Sequence, residues 1–95
     1  MRYEWDERKR EDNLRKHGLD FARADFVFES ATKVTMDATR AEDPEVRFAD
    51  LEEVDGVVLK LVYTMRKGAV RCISLRAASK RERKAFYEII HHQKD

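Results

Sequence analysis

The stretch Arg71-Cys72-Ile73-Ser74-Leu75-Arg76-Ala77-Ala78-Ser79-Lys80-Arg81-Glu82-Arg83 contains a strand, a helix start and the join between them. Strand alternation sends Cys72, Ser74 and Arg76 to one face and Arg71, Ile73 and Leu75 to the other. Ser79 with Glu82 three residues later is a capping-box signature, so a helix begins there. Lys80, Arg81, Arg83 and Lys84 place four cations within five residues of its first turns. The junction gathers arginines, a hydroxyl and free helix N–H groups. Such a surface suits a phosphate, because the guanidinium fork and the helix N-terminus both favour an anion.

Upstream, Met65-Arg66-Lys67-Gly68 supplies a turn that pairs residues 57–64 with residues 69–75 as a hairpin. Residues 57–64 are rich in β-branched and aromatic side chains and form the clearest strand. Val34 and Met36 alternate with Lys33, Thr35 and Asp37 as a half-buried strand, and residues 46–51 form a less regular one. Between them residues 38–45 hold the sole proline, Pro44, and read as a loop. A short first strand covers residues 2–5. Asp6 then caps a helix from Glu7 to about His17, with Gly18 as its C′ residue and Leu14 as its main apolar side chain. Asp20 caps a second helix with Phe21, Ala24 and Phe28 on one face. The last helix runs over residues 80–91 and docks through Phe86 and Ile90, with Tyr87 beside them.

The order β-α-α-β-β-β-β-α predicts an α+β fold, with a mainly antiparallel four- or five-stranded sheet and helices packed on one face. Residues 1–95 suffice for one small domain. Trp5 and Phe21 belong to its core.

Hydrophobic residues make up 42% of the chain and charged ones 41%, with a net charge of only +1. The distribution says more than the sum. Residues 37–55 hold eight acids and two bases, whereas residues 56–95 hold ten bases and three acids. That polarity points to an anionic ligand at one end and a basic partner at the other, or to two solvated faces that happen to segregate. Cys72 is the only cysteine, which excludes an intramolecular disulfide, and its apolar setting suits a buried hydrophobe better than a nucleophile. No N-terminal apolar segment or long apolar run is present. The chain therefore reads as soluble and cytoplasmic, with no membrane contact.

Together with Glu4-Trp5-Asp6, Lys9, Asn13, Lys16-His17-Gly18 and Phe21, the opening stretch resembles the BrnT toxin family from residue 4 to about residue 87. The resemblance implies a RelE-like fold and a ribonuclease of a type II toxin–antitoxin system that cuts messenger RNA and slows translation. It also implies a BrnA-like antitoxin, a ribbon-helix-helix protein that neutralises the toxin and carries the pair to operator DNA. The acidic segment 37–55 is one surface on which that partner could dock.

Cutting RNA without a metal requires a proton taken from the 2′-hydroxyl, charge neutralised on the phosphorane and a proton given to the 5′-oxygen. His17, Ser74, Tyr63, Tyr87 and the arginines are the groups available. His17 is either the general acid or base or simply a helix C-terminal cation. Arg71 and Arg76 divide between holding a carboxylate and facing RNA, and Arg76, beside Ser74, is the stronger candidate. Arg47 matches an arginine of the family and contacts phosphate, or else pairs locally with Glu45 or Asp50. Lys9, Lys80, Arg81, Arg83 and Lys84 are candidate RNA contacts that add affinity without sequence choice. No Cys/His/Asp set accompanies His91-His92, so neither a metal nor a cofactor is expected. A non-catalytic binding module for RNA or protein is the competing reading.

Overall fold

Side-chain caps and two glycine turns fix the element boundaries in the computed structural model, which describes residues 1–93. After β1 (Tyr3–Glu4), α1 (Glu7–His17) starts where the Asp6 carboxylate accepts from the N–H groups of Arg8 and Lys9, at 2.9 and 3.2 Å. It ends at Gly18, whose φ of +71° is the left-handed conformation that closes helices. A 3-10 turn (Phe21–Arg23), capped by Asp20, runs into α2 (Ala24–Phe28). Four strands follow, β2 (Val34–Asp37), β3 (Phe48–Val54), β4 (Val57–Arg66) and β5 (Ala69–Ala77), and then α3 (Lys80–Gln93).

The sheet order is β1-β5-β4-β3-β2, and only β1 runs parallel to its neighbour. The expected α+β class, the element order and the mainly antiparallel sheet are as found. The hairpins turn on Asp55-Gly56 (φ +51° and +83°) and Lys67-Gly68 (φ +51° and +78°). Positive φ at both central residues is the type I′ geometry, whose twist matches that of the flanking strands. The predicted third strand is displaced: β3 begins at Phe48 and continues to Val54, up to the Asp55-Gly56 turn.

A β-bulge corrects the alternation expected along β5. Val62 pairs with Ser74 and Tyr63 pairs with Cys72, so Ile73 is the extra residue. Directly paired residues share a sheet face. Cys72 therefore joins Leu75, paired with Leu61, on one face, while Arg71 returns to the face of Ser74 and Arg76.

Helices cover both faces of the sheet rather than one. Phe21, Ala24 and Val27 pack on Leu59, Leu61, Tyr63, Val70, Cys72 and Leu75. Fully burying a side chain such as Phe21 or Leu61 contributes about 1.5–3 kcal/mol. On the other face Phe86 and Ile90 of α3 cover Val34, Leu51, Val58 and Ala78. Within α2 it is Val27, not Phe28, that is fully buried. Cys72 is buried as expected, and burial pushes its thiol pKa up to about 12.

α1 lies along the edge of β5 beyond the end of β1. Leu14, its main apolar side chain, is exposed, and Asn13 is buried instead. The Asn13 amide donates to Leu75 O at 2.7 Å and accepts from Leu75 N–H at 3.1 Å, completing the ladder as another strand would. Its second amide hydrogen reaches Leu19 O at 3.0 Å.

The acidic segment is not a single surface. Asp50 is fully buried and accepts from Lys33 Nζ (2.9 Å), Thr35 Oγ1 (2.6 Å) and Tyr63 OH (3.2 Å). Glu52 is buried under Ser30 and Thr32. These carboxylates satisfy the fold's own hydroxyls and Lys33. Tyr63, one of the hydroxyls considered for chemistry, is thereby committed to the core, and burial raises its pKa further.

Candidate active site

α3 covers only part of its sheet face, and the row Met36–Ala49–Val62–Ser74 beside it is left open. Short side chains in that row make the floor of a cleft of about 800 Å³. α1 supplies one wall through Lys9, Asp12, Asn13, Lys16 and His17. Asp37, Ala38, Arg40 and Arg47 form the opposite wall, and Lys60 and Ile73 complete the lining. Five side chains with full positive charge thus face two carboxylates, before His17 is counted. Such a surface draws in an anion.

Four of the site residues expected from sequence line the cleft: Lys9, His17, Arg47 and Ser74. Lys9 and Lys16 have no ion-pair partner among the described residues, and neither the ring of His17 nor Ser74 Oγ is hydrogen-bonded there. Arg47 is held by its backbone. Its N–H donates to Thr39 Oγ1 at 2.8 Å, and its carbonyl accepts from Ala38 N–H at 2.9 Å. Asp43, itself held by the Arg40 N–H at 2.8 Å, approaches Arg47 Nε at 3.4 Å, near enough for attraction but too poorly aligned for a hydrogen bond. Arg47 therefore pairs with Asp43 and not with Glu45 or Asp50. No hydrogen bond among the described residues uses its terminal nitrogens.

The remaining expected residues stand outside the cleft lining. Arg71 pairs with Glu4 at 3.4 Å. Tyr87 OH donates to Glu53, and that bond is the first cause of its raised pKa. Lys80, Arg81, Arg83 and Lys84 lie on α3, where all four are exposed. Arg76 is engaged by Glu82, with Nη1 and Nη2 on the two carboxylate oxygens at 2.8 and 3.0 Å. Lys60 Nζ donates to the same carboxylate at 2.8 Å. The capping box forms as read, Ser79 N–H donating to Glu82 at 2.8 Å and Glu82 N–H to Ser79 Oγ at 3.2 Å. The anion expected at this helix start is therefore the chain's own Glu82. Arg76 holds its carboxyl well below the usual carboxylate range, with Lys60 and the Ser79 N–H adding to the effect.

Lys60 and Arg40 are cleft residues that sequence reasoning missed. Lys60 stands between Leu59 and Leu61 in a strongly apolar strand, and alternation puts it on the face opposite theirs. Arg40 lies in a loop, where periodicity carries no signal. Among the described residues no three His, Cys, Asp or Glu side chains converge as a metal-ligand set. No helix there is long and apolar enough to cross a membrane.

The sequence model of a family described as "Ribonuclease toxin, BrnT, of type II toxin-antitoxin system" matches residues 5–82. No protein of curated function matches the chain. The matched span runs from Trp5 through the whole cleft to Glu82.

Proposed function

The chain belongs to this family of ribonuclease toxins, and on that premise we propose that the cleft cleaves RNA by metal-independent attack of a 2′-hydroxyl on the adjacent phosphate. The 2′-oxygen bonds to phosphorus and the bond to the 5′-oxygen breaks. The products are a 2′,3′-cyclic phosphate and a 5′-hydroxyl. The 2′-oxygen gives up a proton and the 5′-oxygen gains one. His17 carries one of these transfers and solvent water the other, and a positioned group of this kind is typically worth about 10²–10⁴-fold. Arg47, Lys9 and Lys16 neutralise the phosphorane, and Ser74 donates to a phosphate oxygen from the floor. The single observation that carries this reading is the excess of cations around one cleft floored by Met36, Ala49, Val62 and Ser74, with Lys9 and Lys16 unpaired among the described residues.

Lys80, Arg81, Arg83 and Lys84 extend the positive surface along α3 and hold the RNA backbone. Arg71, Arg76 and Tyr87, each engaged by a carboxylate, support the sheet and α3 rather than touch the reacting atoms. In the same reading the protein acts in the cytoplasm, where cutting messenger RNA slows translation. Its partner is a BrnA-like ribbon-helix-helix antitoxin, which neutralises it and connects it to operator DNA. The family's description as part of a type II toxin–antitoxin system supports that partner.

The test is incubation of purified, antitoxin-free protein with ribosome-free RNA in EDTA. We expect cleavage, with 5′-hydroxyl and cyclic-phosphate ends. RNA that is retarded on a gel but left intact would favour a non-catalytic binding module. The cleft contains no hydrogen-bonded acid–base pair among the described residues, an observation on which that second reading rests.

A further inference from the structure

Lys60 and Arg76 are direct partners across β4 and β5. Like charges in that position repel and destabilise a sheet. Here one carboxylate meets both. Glu82 takes the two arms of Arg76 at 2.8 and 3.0 Å and Lys60 Nζ at 2.8 Å. It reaches them from the first turn of α3, where the capping box fixes its own backbone. The two cations differ in what remains to them. Arg76 also donates to Ala77 O at 3.0 Å, so its guanidinium is directed at the protein. An ammonium has three donors, and one of those on Lys60 is held by Glu82. Lys60 belongs to the cleft lining, on the same sheet face as Val62 and Ser74.

We propose that Glu82 is a positioning residue for RNA cleavage. It grips Arg76 as a brace and fixes Lys60, so that the free donors of Lys60 meet the reacting phosphate at the α3 rim of the cleft. The proposal rests on the ribonuclease reading and adds Lys60 to the groups that touch substrate. A lysine on a flexible four-carbon stem is a poor electrostatic donor unless something holds it, since small misplacements cost large factors in rate. Arg76 and Lys60 keep the carboxylate ionised, so the grip persists across the physiological range.

A purely electrostatic role for Glu82 predicts the opposite result, and this makes the idea testable. Removing a negative charge beside two cations strengthens attraction for RNA. Steady-state cleavage of a short RNA by the parent, Glu82→Gln, Lys60→Met, the double variant and Ser79→Ala separates the two. We expect Glu82→Gln to lower kcat about tenfold while KM stays level or falls. Lys60→Met should lose a similar factor, and the double variant should lose no more than either alone. Ser79→Ala removes the other half of the capping box and leaves the Lys60 and Arg76 bonds, so its kcat should stay within about twofold of the parent.

Parental kcat in Glu82→Gln overturns the proposal while the ribonuclease reading stands. An equal loss in Ser79→Ala overturns it too, because the effect would then belong to α3 stability. Should Glu82→Gln fail to fold, Lys60→Met decides, and parental kcat there overturns the proposal. A parent that cuts no RNA overturns both readings.

Discussion

At the α3 rim of the cleft, Arg76 and Lys60 direct their hydrogen bonds to Glu82. On α1 Lys9 and Lys16 meet no carboxylate at ion-pair distance among the described residues. Across the floor Arg47 has only the poorly aligned approach of Asp43, at 3.4 Å. The same positive charge thus has two uses within one cleft. In the first, a carboxylate closes off Arg76 and holds Lys60 by one of its three donors, which ties α3 to the sheet. In the second, cations are held by backbone and helix geometry and left open towards the floor. What a cation can do for an anionic ligand depends on whether the fold has already given it a partner.

The largest expected effect separates the two groups directly. Arg47→Ala should lower kcat/KM about 10²–10³-fold, the usual cost of removing a preorganised donor to developing charge. Folding should survive, because Asp43 keeps its bonds from Arg40 N–H and the Arg40 side chain. Arg76→Ala should cost only about tenfold, acting through Glu82 and Lys60, and should lower Tm as well. Kinetics and thermal melts of the two variants side by side check this. An Arg76 variant more damaged in rate than the Arg47 variant would break the contrast between closed and open cations.

That contrast also explains which parts of the molecule are legible in the sequence. The capping box, the Asp6 cap and Gly18 involve residues within a few positions of one another, and local chemistry specifies them. The hairpin strands follow from β-branched content and turn glycine. The bulge at Ile73 leaves no trace, since an isoleucine fits a regular strand as well as a bulged one. Plain alternation therefore puts Arg71 on the wrong face. Asn13 rather than Leu14 anchors α1 because the need it meets, the open edge of β5, arises 62 residues away. Arg76 looks free in the sequence only because the capping role of Glu82 does not reveal that the same carboxylate also binds across to the sheet. Lys9 and His17 on α1, Arg47 before β3 and Ser74 on β5 come together from three separate places, and the family resemblance carries more of that grouping than any spacing does.

A middle-sized effect tests the exposed cations of α3, which belong to neither group. Replacing Lys80, Arg81 and Lys84 together by alanine should raise KM a few-fold and leave kcat unchanged. The salt dependence of RNA binding should flatten by about 0.7 in log–log slope for each phosphate no longer neutralised. Binding titrations at several salt concentrations supply that slope. A fall in kcat would place these residues with the reacting groups instead of along the backbone path.

The smallest effect concerns stability, and it sharpens the account of the Glu82 carboxylate. The folded-state pKa of Glu82 is depressed from its ordinary value of 4.5, first by Arg76 and then by Lys60 and the Ser79 N–H. A carboxyl depressed in this way stabilises the fold fully above its unfolded pKa and loses that contribution as pH falls towards the folded value. The parent should therefore exceed Glu82→Gln in stability by about 1–2 kcal/mol at neutral pH, the scale of a lost cap with charged hydrogen bonds. The gap should hold down to about pH 5 and close progressively below pH 4. Arg47→Ala should show no such closing gap from this carboxylate, because Arg47 makes no bond to it. Thermal melts of the three proteins from pH 7 to pH 3 read the difference. A Glu82→Gln gap that stays constant down to pH 3 would mean that the glutamine loses packing or backbone capping, rather than the charge that joins Arg76 and Lys60.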